Sequence, residues 1–340
     1  DLMENKLFGE YINPVIINIV KHIFPWEFLQ NLLVGDYGIF TMAITYAFSI
    51  VLPIIVTFFL AFSFLEDSGY LPRLTVMADR VFRLIGMTGK AVLPFVLGLG
   101  CGSMACMTTR ILETKKERIL ATLLIALGVP CSAQLGVMLG IASQISTKAV
   151  VLIFGVIISQ IFIVGYIGSK IIHGDRSLFL IELPPIRFPQ IKNILMKTYS
   201  RAKWFIYEAV PLFVLGTIIL FLTDWFGFLS LIKNAGGPII NGILGLPEDT
   251  VSIFIIGFLR RDYGAAGLYK MAQKGLLNPI QIVVSLVVIT LFVPCITFFL
   301  LMIKERGMKV ALGIMVFITI YSFIIGGVLN FILHNFNIAL

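Results

Sequence analysis

Three cysteines stand where the chain cannot remain helical. Cys101 lies in Leu97-Gly98-Leu99-Gly100-Cys101-Gly102-Ser103-Met104, Cys131 in Gly128-Val129-Pro130-Cys131-Ser132-Ala133-Gln134, and Cys295 in Phe292-Val293-Pro294-Cys295. Gly98, Gly100 and Gly102 let the backbone open. Proline has no amide proton, so Pro130 releases the carbonyl of Ala126, and Pro294 that of Thr290. A thiol beside a released carbonyl is a mixed sulfur and oxygen ligand set. Thiolates favour Cu(I), Zn and iron over Mg or Ca. The ligand is the thiolate, so metal binding at Cys101, Cys131 and Cys295 would release protons. The alternative is a small-residue packing notch between helices, with each cysteine a small apolar filler. Cys106 has no break of its own and reads as packing.

Other polar groups are few. Ser132 and Gln134 sit in the middle of an apolar run and need partners, either an ion or a neighbouring helix. Met104 is a thioether ligand or core. Glu66 and Asp67, at the end of an apolar run, cap or gate it. His22, His173 and His334 are scattered and make no metal cluster. Arg260, Arg261 and Asp262 make an anion site or, the reading we favour, a buried structural pair of Arg260 with Asp262. No Ser/His/Asp set or paired carboxylates suggest catalysis, so the chain reads as no enzyme.

The elements that must position these residues follow from composition. The 340 residues are 59% hydrophobic and 13% charged, which predicts an all-α polytopic membrane protein. The net charge of +8 does not indicate nucleic acid, because Lys and Arg cluster in a few loops between apolar runs. The start, Asp1-Leu2-Met3-Glu4, is acidic and without an initiator Met, so the chain reads as lacking a signal peptide and an N-terminal part.

Residues 1–38 read as interfacial helices on the outer side. Ile39–Phe64 is long enough to span, with a kink expected at Pro53. Ala91–Thr109 is nineteen uncharged residues with basic flanks on both sides, hence a re-entrant hairpin. Ile119–Ala142 and Ala149–Ser169 span. Lys170 to Lys203 carries seven Lys/Arg and reads as a cytoplasmic linker with a surface helix from Lys192. Ala209–Thr223 runs outward. Residues 251–278 form a second hairpin from the opposite face, and Pro279–Ile303 and Val310–Leu333 span. The expected sum is six spans and two hairpins.

Each half thus offers a glycine-bearing hairpin and then a span containing Val-Pro-Cys. Gly98 and Pro130 are 32 positions apart, Gly257 and Pro294 37. Hairpins entering from opposite sides predict inverted repeats, with a site near the midplane where broken segments meet. The repeat favours the ion site over the notch.

The chain resembles the membrane part of the ferrous iron transport protein B (FeoB) family. The matching stretches are Leu65-Glu66-Asp67-Ser68-Gly69-Tyr70, Gly98-Leu99-Gly100-Cys101 on to Thr109-Arg110, Pro130-Cys131-Ser132-Ala133-Gln134-Leu135, Gly257 to Gly267, and Val293-Pro294-Cys295. The resemblance implies two inverted Gate-type repeats, related to those of nucleoside carriers. They would cover 39–170 and 205–340, joined by a linker over 171–204. It implies Fe²⁺ uptake across the bacterial inner membrane, with Cys101, Cys131 and Cys295 lining the path and no tightly bound cofactor. GTP and Mg would enter only through an N-terminal GTP-binding domain or separate subunit. A small accessory FeoA-like protein, the lipid bilayer and a homo-oligomer are the implied partners. The family's Asn-Val-Pro after the first cysteine is here Gly102-Ser103-Met104. The competing reading is a carrier for an organic solute such as a nucleoside.

Overall fold

The computed structural model describes residues 14, 17–18, 20, 27–35, 38–45, 47–172, 174, 188–225, 227, 236–238, 240–247, 249–259, 261–292 and 294–335. Among them every regular element is helical. Helix α1 is Glu27–Val34, and wide π-helical turns at Ile39–Ile44 and Ala47–Val51 lead into α2, Leu52–Asp67. Next come α3 (Tyr70–Leu84), α4 (Val92–Gly100), α5 (Gly102–Thr108), α6 (Lys115–Gly128), α7 (Ser132–Ile145) and α8 (Thr147–Ile171). The later helices are α9 (Ile191–Trp225), α10 (Asp249–Leu259), α11 (Arg261–Gln273), α12 (Pro279–Leu291), α13 (Ile296–Arg306) and α14 (Met308–Asn335).

Five helical stretches are long and apolar enough to cross a membrane: Ala47–Asp67, Lys115–Ser143, Thr147–Ile171, Pro279–Arg306 and Met308–Asn335. The chain is therefore a multi-pass, all-α membrane protein. Pro53 lies inside the stretch Ala47–Asp67, where π-helical turns give way to α-helix. One expectation needs correction. The expected sixth span and the surface helix from Lys192 are not separate elements. Both belong to the 35-residue α9, which carries Pro211 inside it, and its apolar stretch Val214–Thr223 is shorter than the other spans.

Contacts divide the chain into two units, Asp1–Leu71 with Leu183–Ile232, and Pro72–Glu182 with Lys233–Leu340. In the first, α2 and α9 are joined by a charged cluster. Arg201 donates to Glu66 at 2.7 Å and to Ser63 at 3.2 Å, and its guanidinium lies over the rings of Phe62 and Phe59. Lys197 reaches Glu66 at 3.2 Å, and Asp67 accepts the Gln190 amide at 2.8 Å, just before α9 begins. Asp67 thus caps the neighbouring helix, where the macrodipole favours a carboxylate.

In the second unit α6 and α12 are the centre. Leu120–Gly128 and Ile282–Leu291 are almost unbroken runs of buried residues. A helix apolar on every side belongs in a core. Helices α8 and α14 instead expose Val151, Ile163, Ile320 and Phe331, as lipid-facing helices do. Ser146 caps α8 by accepting from Lys148 N at 3.1 Å, and Gln281 Oε1 accepts from Asn278 N at 2.9 Å ahead of α12.

The same pattern occurs twice in this unit. Helices α4 and α5 fold back on each other at Cys101: a Cβ on Gly98 would lie 3.5 Å from that of Ala105, seven residues on. Helices α10 and α11 lie against each other, for a Cβ on Gly264 would lie 2.6 Å from Gly257 Cα. Each folded pair is followed by a broken helix, α6–α7 over Val129–Cys131 and α12–α13 over Phe292–Cys295.

Candidate functional site

Each of the three cysteines immediately precedes a helix. Cys101 ends α4 and opens α5 with an extended backbone, φ −151° and ψ 117°. Cys131 opens α7 (φ −74°, ψ 163°) and Cys295 opens α13 (φ −58°, ψ 155°). The first turn of a helix presents unpaired amide protons. The Cys101 thiol interacts electrostatically with those of Cys295 and Cys131. None of the three is in a disulfide and each is half-buried, whereas Cys106 is fully buried. The breaks therefore bring the three thiols into one neighbourhood, and Cys106 packs as expected. The thiols do not form a closed cage. Among the described residues, no three His, Cys, Asp or Glu side chains converge closely enough to enclose a metal ion.

The glycines of the first break pack as well as bend. A Cβ on Gly98 would meet Val129 Cγ1 at 3.0 Å, and one on Gly102 would meet Phe298 Cδ2 at 2.9 Å. Both glycines thus serve close approach, as the notch reading expected. The carbonyl of Gly100 accepts from Ser132 Oγ at 3.1 Å, which ties the folded α4–α5 pair to the break after α6. Gln134 Nε2 donates to Thr290 Oγ1 at 3.2 Å, joining α7 to α12. Thr290 Oγ1 donates in turn to Leu286 O at 2.7 Å. Both Gln134 and Thr290 are fully buried, and Gln134 Oε1 finds no protein partner among the described residues.

Arg261, which the sequence offers with Arg260 and Asp262 as an anion site or a structural group, is buried to 7% exposure between the two broken helices. Its Nη2 donates to Ala126 O at 2.7 Å and to Phe292 O at 3.3 Å, and its Nη1 to Val129 O at 3.2 Å. It interacts electrostatically with Cys131 and Cys295. The Ala126 carbonyl is released from the helix ladder at Pro130 as expected, but it is not bare: a guanidinium engages it. The signal was available in outline. Two proline breaks leave buried carbonyls that need donors, and a cation between apolar helices is a ready source. The proposed Arg260–Asp262 pair lies outside the described residues, because position 260 and the Asp262 side chain are not among them.

A second cluster, not foreseen, closes one end of these helices. Arg110, after α5, pairs with Glu305 of α13 through two nitrogens, one at 2.8 Å. Arg306 donates to the hydroxyls of Thr109 and Thr122, the latter at 3.4 Å.

Comparisons with known proteins place the chain in a family. A family model described as nucleoside recognition (Gate) matches residues 48–145 and 206–309, and one described as ferrous iron transport protein B C terminus matches 150–201. The Fe(2+) transporter FeoB of Staphylococcus aureus (strain COL) is 30% identical over 273 residues, covering 72% of this chain and 41% of that protein. The Fe(2+) transporter FeoB of Methanocaldococcus jannaschii is 28% identical over 358 residues, covering 95% and 52%. That of Salmonella typhimurium (strain LT2) is 30% identical over 167 residues, covering 48% and 22%. The chain thus spans about half or less of the length of these curated relatives. No solved structure matches.

Proposed function

The chain belongs to the ferrous iron transport protein B family, as its Gate-bearing membrane portion, and from that premise we propose that it carries Fe²⁺ across a prokaryotic cytoplasmic membrane. The observation that carries the reading is the gathering of Cys101, Cys131 and Cys295 at three helix breaks inside a multi-pass helical unit. Fe²⁺ arrives hydrated and must exchange water for protein ligands. Half-buried thiols supply soft donors, and carbonyls at the breaks supply oxygen. An open set of neighbours suits passage better than a closed cage, because conduction needs binding weak enough to leave. Fe²⁺ binds most such sites more weakly than Zn²⁺ or Cu²⁺, so supply and redox state contribute to selectivity. The two folded pairs, each followed by a broken helix, are the framework of the proposed inverted repeats.

The test is Fe²⁺ uptake into proteoliposomes, with the protein's melting checked separately. The double variant Cys101→Ser, Cys131→Ser is expected to lose flux at least about ten-fold, the loss that even outer-shell changes at metal sites cause. Unchanged flux removes the reading. Nucleoside flux in its place would support the organic-solute carrier that the Gate description suggests.

A further inference from the structure

Arg261 occupies the oxygens that a passing cation would use. Its guanidinium takes carbonyls from both breaks, Ala126 and Val129 on one side and Phe292 on the other. It is almost fully buried, and its Nε has no partner among the described residues. An arginine serving only to staple two helices would be expected to satisfy all its donors on burial, since each unpaired one is costly. The side chain interacts electrostatically with the thiols of Cys131 and Cys295, two of the three groups proposed to receive the ion. A resident positive charge of this kind opposes any second cation. Two unit charges about 6 Å apart at an effective dielectric near 20 repel enough to change a rate roughly a hundred-fold.

We propose that Arg261 is a tethered cation that closes the path between the two helix breaks by holding its carbonyl ligands, and that it is the residue which excludes monovalent cations. The inference rests on the transport reading above. Only an ion that binds the thiols more strongly than it is repelled displaces the guanidinium from Ala126, Val129 and Phe292. A divalent ion with affinity for sulfur does so; K⁺ and Na⁺, which gain little from thiols, do not.

The experiment compares K⁺ leak and Fe²⁺ uptake in proteoliposomes for the wild type, Arg261→Lys, Arg261→Gln and Arg261→Met, each checked for folding by size exclusion and thermal melting. The neutral variants are expected to raise K⁺ leak at least about ten-fold over the wild type, and Arg261→Lys to keep the leak low. A folded neutral variant that loses Fe²⁺ uptake without gaining leak would show a structural staple only, and overturns the proposal. So does a folded neutral variant with both fluxes unchanged. If neither neutral variant folds while Arg261→Lys does, the charge is needed for folding and the proposal also fails. Absence of Fe²⁺ uptake in the wild type sinks the transport reading instead, which keeps the two failures apart.

Discussion

At the scale of single residues, polar groups are scarce and each has a definite task. Gln134 is the sharpest case. It bridges α7 to Thr290 of α12 through its amide nitrogen, while its oxygen finds no protein partner among the described residues. Leaving a buried acceptor unpaired costs about 1–3 kcal/mol. That cost offsets most of what the bridge contributes, so Gln134→Met is expected to change stability by less than about 1 kcal/mol in detergent melting. The same variant is expected to slow Fe²⁺ uptake several-fold. Unchanged uptake would make Gln134 a helix bridge only. The cysteine positions were legible in the sequence because glycine and proline announce a broken ladder by their chemistry. Arg261 was not, because residue type shows that a cation is present and not which carbonyls it will meet 132 and 135 positions away.

At the scale of elements, glycine sets how closely helices approach. The α10–α11 pair folds on a contact in which a Cβ at Gly264 would come within 2.6 Å of Gly257 Cα. Backbone cannot retreat as a flexible side chain can, so Gly264→Ala is expected to destabilise by about 1–3 kcal/mol. Gly136 and Gly140 in α7 meet nothing within 4 Å of an added Cβ. Gly140→Ala there should be neutral or stabilise by about 0.5–1 kcal/mol, since glycine loses more freedom in a helix. Thermal melts of both variants in one detergent make the comparison, and equal shifts would contradict the packing account. The first folded pair was legible from its glycines and basic flanks, the second from an apolar run, Val251–Leu259, too short to cross. The length of α9 was not, because the basic residues up to Lys203 read as a linker although the helix runs on through them.

At the scale of the whole molecule, contacts distant in sequence hold the second unit together. Arg110 and Glu305 are 195 positions apart and pair at the end of α13, with the Glu305 side chain only 5% exposed and that of Arg110 58%. Exposure of one partner limits the pair to about 1 kcal/mol. Arg110→Glu should destabilise by at least that, and the exchange Arg110→Glu with Glu305→Arg should restore part of it. A double-mutant cycle by thermal melting checks this; simple additivity would show no coupling. The membrane class was plain from composition alone. The division into units was not, because it depends on which helices pack together, and repeat order along the chain does not fix that.

The three half-buried thiols have one more consequence. A thiol exposed enough to meet a cation is also exposed enough to meet peroxide, and the first step of that chemistry, a sulfenic acid, destroys a soft ligand. On the proposed transport reading, oxidation of Cys101, Cys131 and Cys295 would disarm the route under the same conditions that turn Fe²⁺ into Fe³⁺. The proposed Fe²⁺ uptake is therefore expected to fall in proteoliposomes treated with peroxide and to recover with a thiol reductant.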